Sequence, residues 1–244
     1  MTLMPPGMQA ENLGANSLPQ RLITVLAFLA GYVDTFGFVG LFGLFTSHVT
    51  TNFVLIGANI VGQGQGVLLK LSAFPAFIAG VAVAKCAVEF SVRRGVSAER
   101  AIYVLQAVCL SFMMFAGLAA LPVHSADSAA VIVAGLFGAI AMGIQNGHSQ
   151  LVLAGKPLTT TMTQNITLGV IDAIEAMMGR GAETKAAARA RFADTLLPVC
   201  GFAVGAIVAA IAWVQASFWA LLFPVTLLAI LALRASTEAC AVGE

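Results

Sequence analysis

Two passages of the sequence carry the same polar residues at the same spacing. At a constant offset of 113 residues, the first passage holds Thr46, Thr50 and Asn52, and the second holds Thr159, Thr163 and Asn165. A short apolar segment follows each passage, at 53–61 and at 166–178. Hydroxyl and amide side chains in this position can cap a short helix or hydrogen-bond to a solute. The repeated motif is therefore the first candidate site.

Asp34 is the second candidate, because it is a carboxylate in the middle of an apolar stretch. A charge at the centre of a membrane helix costs about 3 kcal/mol, so this side chain should face the protein interior. Its counterpart in the second passage is Asn146, which cannot ionise. One interpretation is a proton-coupling site, with His48 as a second titratable group. The other is a neutral or hydrogen-bonded Asp34 that caps the opposing short helix.

The sequence does not predict an enzyme. His48 follows Ser47 and His148 precedes Ser149, but adjacent residues on a helix point in different directions and do not form a nucleophile and base pair. The four cysteines are scattered, without the spacing of a zinc site or a disulfide framework. We therefore expect no catalytic residue, no metal and no cofactor.

The composition indicates the environment in which these residues act. Of 244 residues, 59% are hydrophobic and 9% are charged, far below the roughly 25% charged residues of soluble proteins. The mean hydropathy is +0.95. This composition predicts an integral membrane protein whose first partner is the lipid bilayer. The net charge of +1 leaves no basic surface for nucleic acid, which excludes nucleic-acid binding as a main function.

Apolar runs long enough to cross about 30 Å of hydrocarbon define the elements. The predicted crossing helices are 22–43, 68–90, 101–121, 129–147, 193–213 and 216–235.

The internal repeat then divides the chain into two homologous halves. We predict a flexible leader, two membrane repeats and a C-terminal tail, which together make one membrane domain: 1–20, 21–121, 129–235 and 236–244.

The distribution of basic residues predicts how many segments cross. If all eight apolar segments crossed with Arg21 inside, the inner side would hold seven of the twelve Lys and Arg residues. If the two short segments are re-entrant, six helices cross and the inner side holds eleven of twelve, all but Lys70. The positive-inside rule favours the second arrangement. Three crossings in each half make the two halves inverted repeats, with both termini cytoplasmic.

Two re-entrant helices from opposite faces would point their N-termini at the bilayer centre, each with a charge of about +0.5. This arrangement favours an anionic or carbonyl-bearing solute. Alternatively, the polar residues only hold helices together. The predicted solute site lies between the halves and is lined by Asp34, Thr46, Thr50, Asn52, Asn146, Thr159, Thr163 and Asn165.

Four motifs in order resemble the YoaK-type family of bacterial inner-membrane proteins, which is defined by a domain of unknown function. The resemblance covers about residues 20–235 and rests on Gly31-Tyr-Val-Asp34, Phe45 to Asn52, Met142-Gly-Ile-Gln-Asn146 and Thr159 to Asn165. It differs at Thr51 and Gln164, where members commonly have glycine. The resemblance implies a multi-pass protein of the bacterial inner membrane that moves a small molecule.

From these observations we expect an all-α membrane protein that transports a small polar or anionic solute. A secondary transporter with Asp34 as proton site is the first hypothesis, and a passive channel of the same architecture is the second. An intramembrane enzyme and a structural or assembly protein are further alternatives. The substrate, a small molecule or an ion, is not specified by the sequence, and neither is a homo-oligomeric state.

Overall fold

The computed structural model describes residues 20–179 and 181–241. Most of the predicted leader 1–20 and the last three residues of the predicted tail 236–244 lie outside this part of the chain. Within it the protein forms eight α-helices and a short 3-10 helix, Ser217–Leu221. The α-helices are α1 Gln20–Gly40, α2 Thr51–Ile60, α3 Val67–Arg94, α4 Ala98–Ala119, α5 Ala129–Leu151, α6 Met162–Met178, α7 Ala182–Ala216 and α8 Leu222–Ala241.

Among the described residues, five helical stretches are long and apolar enough to cross a membrane. Four of them correspond to α1, α3, α4 and α5. The fifth extends over 52 residues, Thr184–Ala235, and includes most of α7, the 3-10 helix and the first part of α8. The chain turns inside this stretch at Ser217, whose φ of 46° and ψ of −138° are not helical. The predicted all-helical membrane architecture is confirmed at this level.

The two short helices are the elements that follow the repeated motifs. α2 has 10 residues and is about 15 Å long, and α6 has 17 residues and is about 26 Å long. They begin at Thr51 and Met162, earlier than the apolar runs suggested. The expectation that threonine side chains cap these helices is wrong at the residues that precede them, Thr50 and Thr161, because neither side chain makes a capping hydrogen bond.

The bounds of α7 differ from the sequence prediction, which placed a crossing helix at 193–213. The structure instead has one 35-residue helix from Ala182 to Ala216. Its first half is rich in alanine, a strong helix former, so no residue there ends the helix. Pro198 lies inside it without terminating it, as neighbouring packing in membrane helices can allow.

The two halves pack against each other in a reciprocal way. α1 of the first half packs on α7 of the second, and α3 of the first half packs on α5 of the second. At the first contact a Cβ on Gly31 would lie 2.1 Å from the carbonyl oxygen of Phe202. At the second contact a Cβ on Gly143 would lie 2.3 Å from the carbonyl oxygen of Phe77. Each glycine therefore lets its helix touch the backbone of the other half.

The core also positions α1, the helix that carries Asp34. The ring of Phe36 packs edge-on against Trp213 and Phe218, with ring centroids 5.2 and 5.8 Å apart. The hydroxyl of Tyr32 donates a hydrogen bond of 2.9 Å to the carbonyl oxygen of Ala220. The rings of Tyr32, Phe36 and Phe218 are essentially buried. These contacts fix the rotation of α1, so Asp34 points towards the segment between α1 and α2.

Candidate functional site

Asp34 binds the segment that connects α1 to α2. Its Oδ1 accepts hydrogen bonds from the backbone N–H groups of Thr46 and Ser47, at 2.8 and 2.7 Å. The hydroxyl of Thr46 donates a longer bond of 3.4 Å to the same oxygen. The carboxylate therefore serves backbone donors that no helix or sheet satisfies, which buried N–H groups require. The expectation that Asp34 caps the opposing short helix is wrong, because it binds the segment before α2 in its own half.

His48 occupies the second oxygen of the same carboxylate. Its Nδ1 lies 2.6 Å from Asp34 Oδ2, and its side chain is 32% exposed while that of Asp34 is 4% exposed. The His48 ring also packs edge-on against Phe202 of α7, with centroids 5.6 Å apart. The pair therefore couples a buried carboxylate to a partly accessible imidazole at the contact between the halves. Such a pair can hold a proton and pass it to a solute or to water.

Asn52 and Asn165 bind backbone groups of the segments that precede their helices. Asn52 accepts from the N–H of Phe45 at 3.0 Å and donates to its carbonyl oxygen at 2.8 Å. Asn165 donates to the carbonyl oxygen of Leu158 at 2.7 Å. Phe45 and Leu158 are equivalent positions in the repeat, and both asparagines are 1% exposed. These amides support the two segments, and the hydrogen bond donated to the backbone carbonyl is present in both halves.

A second polar cluster lies beside the segment between α5 and α6. Asn146 donates to the hydroxyl of Thr160 at 2.7 Å. Thr159 is fully buried, and its hydroxyl lies 2.6 Å from that of Ser149. Gln145 donates to the carbonyl oxygen of Leu26 at 2.7 Å and to Thr159 at 3.3 Å. This cluster connects the second segment to α1 of the other half.

Two members of this cluster were not singled out from the sequence, Gln145 and Gln106. They are buried, and the Gln106 amide donates to Gln145 Oε1 at 2.7 Å. The available signal was a glutamine inside an apolar helix, because an amide there must find a polar partner. Gln145 is also adjacent to Asn146 in the motif already identified.

The eight predicted pathway residues fall into separate groups. Asp34 and Thr46 form one group. Asn146 bonds to Thr160, the neighbour of Thr159, and these residues form the other. In the part of the chain that the structure describes, no hydrogen bond joins the first group to the second. The second cluster bonds to α1 at Leu26, and the first cluster includes Asp34 of the same helix. These two residues are eight positions, or about 12 Å, apart along α1. Thr50 is exposed just before α2, and Thr163 is exposed in the first turn of α6.

A cavity with charged and amide residues in its lining opens beside the second of these segments. Its volume is about 370 Å³, and Asn165 of the repeated motif lines it. Its charged lining comes from the segment before α6, from α6 and from the first half of α7. These charged residues are Lys156, Asp172, Arg191 and Asp194. The cavity is large enough for a small polar solute and lies directly against a predicted pathway residue.

The charges in this cavity are only partly paired. Arg191 Nε lies 2.8 Å from Asp172 Oδ1, and its Nη2 lies 2.6 Å from Glu175 Oε2. Lys156 is exposed and makes no ion pair with any residue that the structure describes. A guanidinium held by carboxylates keeps further N–H donors, and Lys156 has three. The cavity can therefore bind an anionic or carbonyl oxygen.

Three buried polar atoms have no hydrogen-bond partner among the described residues. They are Ser47 Oγ, Gln106 Oε1 and His148 Nε2. Ser47 is 8% exposed, and the other two residues are 1% exposed. Buried polar atoms without a protein partner usually bind water or a ligand, because an unmade hydrogen bond costs about 1–3 kcal/mol. Ser47 belongs to the first of the clusters described above and Gln106 to the second.

Long apolar helices, two short helices after polar segments and buried polar clusters are typical of polytopic α-helical membrane proteins. Among the described residues, no group of three His, Cys, Asp or Glu residues is arranged to hold a metal ion.

The chain belongs to the family described as "Protein of unknown function (DUF1275)", whose model matches residues 22–234. This match confirms that the protein is a member of an uncharacterised family. No curated protein and no solved structure matches the chain.

Proposed function

We propose that this protein transports a small polar or anionic solute across a membrane. The observation that carries the proposal is the cavity of about 370 Å³, lined in part by charged and amide residues, that opens beside the segment before α6. Non-helical backbone at membrane depth is tolerated where it is buried in protein or lines a wet cavity. A cavity with charged and amide side chains at this position is what a solute site requires.

The architecture that we propose has six crossings and two re-entrant helices, α2 and α6. At about 15 Å, α2 is half the thickness of the hydrocarbon layer. As one straight helix, the 52-residue stretch would be about 78 Å long, so its turn at Ser217 supports two crossings. The reciprocal contacts of Gly31 and Gly143 with the other half support two inverted repeats.

The orientation follows from the basic residues. With Arg21 inside, this arrangement places eleven of twelve Lys and Arg residues on the cytoplasmic side, with both termini. The cavity at Lys156 then opens to the cytoplasm. The resemblance to YoaK-type proteins supports a bacterial inner membrane as the location.

The cations at the cavity support an anionic or carbonyl-bearing substrate. Lys156 and the remaining N–H donors of Arg191 can bind a carboxylate or phosphate oxygen. The amides of Gln164 and Asn165 line the same cavity and can select for a polar molecule. The two carboxylates of the lining, Asp172 and Asp194, disfavour a large multiply charged anion by repulsion.

The Asp34–His48 pair supports coupling to protons. Oδ2 of Asp34 and Nδ1 of His48 lie 2.6 Å apart. A change in the protonation of this pair would change how strongly the Asp34 carboxylate binds the segment before α2. The equivalent residue Asn146 holds Thr160 through an amide that does not titrate. Only the segment before α2 would then respond to protons, while the segment before α6 would keep its contacts.

The test is solute uptake into proteoliposomes with a pH-sensitive dye inside. Candidate small anions and zwitterions are first screened by thermal stabilisation of the purified protein. A proton-coupled transporter should move protons with its substrate, and Asp34→Asn should lose this coupling while it keeps solute exchange. The matched control is Asp127→Asn, which removes the same charge from an exposed loop and should transport normally. If Asp34→Asn retains full pH-dependent uptake, the coupling role is wrong.

A passive channel is the second candidate, because Asp34 already binds protein donors through both of its oxygens and can act as structural support alone. The two candidates differ in counterflow. In vesicles preloaded with unlabelled substrate, a transporter should accelerate the entry of labelled substrate, whereas a channel should not. If no solute crosses by either route, the transport proposal fails.

A further inference from the structure

A groove at the turn between α3 and α4 lies apart from the site described above. Its volume is about 790 Å³, and most of its lining is apolar. Phe90 and Val104 line it and are 58% and 45% exposed. α3 has 28 residues and is about 42 Å long, so its last turn extends past a hydrocarbon layer of about 30 Å. In a membrane crossed by α3, the groove would therefore begin among acyl chains and end at the level of the lipid headgroups.

The end of the groove at headgroup level is basic. Arg93 and Arg94 are the last residues of α3, and Arg100 lies in the first turn of α4. The Arg94 guanidinium stacks over the ring of Phe90, 4.9 Å from its centroid. Arg100 and Ser97 line the groove directly. Two arginines thus lie at the mouth of an apolar groove, one of them against its aromatic wall.

We propose that this groove binds an anionic phospholipid with a single phosphodiester, such as phosphatidylglycerol. The phosphate would bind Arg94 and Arg100, because guanidinium groups bind phosphate oxygens in a bidentate manner. One acyl chain would pack against Phe90, Val104 and Leu105. Basic pockets between membrane helices at the membrane surface are typical sites for anionic lipids. The site does not depend on the transport proposal, because it requires only that α3 and α4 cross a membrane.

The charges near the groove favour a lipid with net negative charge. Four basic residues and two acidic residues lie between positions 85 and 100. Lys85 and Glu89 neutralise each other, with Nζ and Oε1 3.0 Å apart. The excess positive charge is therefore carried by the turn itself. A zwitterionic lipid such as phosphatidylcholine would gain less from this surface, since its choline group would be repelled.

The experiment counts lipids bound to the full-length protein by native mass spectrometry in detergent. Phosphatidylglycerol and phosphatidylcholine with the same acyl chains are titrated separately. The double variant Arg94→Gln/Arg100→Gln should bind phosphatidylglycerol about 30-fold more weakly, at about 1 kcal/mol for each basic residue. The control Lys185→Gln/Arg189→Gln removes two charges from the start of α7, on the same side of the membrane in the proposed topology, and should bind normally.

A second variant keeps the charges and fills the groove. Ala101→Trp places a large side chain on its wall and should also reduce phosphatidylglycerol binding. Equal losses in the arginine and control variants would show surface attraction only and would overturn the proposal. Equal binding of both lipids to the unchanged protein would overturn it as well. If Ala101→Trp changes the proportion of dimer and leaves the bound lipid unchanged, the groove contacts a second copy of the chain and the proposal is wrong.

Discussion

Asp34 and Asn146 occupy equivalent positions in the two halves and perform related tasks with different chemistry. Asp34 accepts from two backbone N–H groups and lies against the His48 ring, whereas Asn146 donates to one threonine hydroxyl. The sequence predicted that Asp34 faces the interior, because an isolated charge in hydrocarbon is costly. It did not identify the partners of Asp34, because they depend on how the segment before α2 folds back onto α1.

We expect Asp34→Ala to destabilise the protein far more than Asp34→Asn. Alanine leaves the N–H groups of Thr46 and Ser47 unpaired, at about 1–3 kcal/mol for each buried donor. Asparagine keeps an oxygen that accepts from these donors, and its amide N–H can donate to the unprotonated ring nitrogen of a neutral His48. The measurement is the midpoint of thermal unfolding in detergent. Asn146→Ala is the matched change in the second half, and it should cost less because one hydroxyl loses its partner. Equal midpoints for Asp34→Ala and Asp34→Asn would contradict the structural role of the carboxylate.

At the scale of the helices, the sequence predicted the long apolar helices well. Hydropathy is a local property, and it can be recognised in a window of about 20 residues. The boundaries of α7 were not predicted, because a run of strong helix formers extends the helix well before the predicted start at 193. The cavity was also not predicted, because its lining comes from the segment before α6, from α6 and from α7.

Gly31 should be intolerant of alanine, since an added Cβ would lie 2.1 Å from the backbone carbonyl oxygen of Phe202. Helix α1 or α7 would have to shift, and overpacking of this kind costs about 1–3 kcal/mol or more. Gly143→Ala should behave alike, because its contact with Phe77 is equivalent. Gly57→Ala is the control: no atom lies within 4 Å of its added Cβ, and alanine in a helix gains about 1 kcal/mol. We expect the thermal midpoint to fall for Gly31→Ala and Gly143→Ala and not to fall for Gly57→Ala. A neutral Gly31→Ala would show that α1 and α7 are not in close contact.

At the scale of the whole molecule, extensive helix packing joins the two halves. α1 packs on α7 and α3 packs on α5, so the two most extensive helix pairs each join one half to the other. Both polar segments are joined to α1, the first directly at Asp34 and the second through Gln145, which bonds to Leu26 and Thr159.

The six-crossing topology predicts opposite sides for two exposed positions. Val96 lies in the turn after α3, and His124 lies in the loop after α4. With six crossings and Arg21 inside, a cysteine at 96 is cytoplasmic and a cysteine at 124 is external. With eight crossings the two positions exchange sides. In a variant without its four native cysteines, a membrane-impermeant maleimide should label His124→Cys in intact cells and Val96→Cys only after lysis. Labelling of Val96→Cys in intact cells would overturn the proposed inverted repeat.

The sequence by itself determined the helical membrane class, the repeat and the identity of its polar residues. These properties depend on composition and spacing, which the chain carries without folding. Only the tertiary structure decided which residues meet: Asp34 with the segment before α2, Gln145 with Leu26 and Thr159, and Arg191 with Asp172. Each of these contacts depends on how a segment folds back or on how helices distant in the sequence pack. Hydrogen bonds act over about 3 Å, so their partners depend on that packing and not on the pattern of the residues alone.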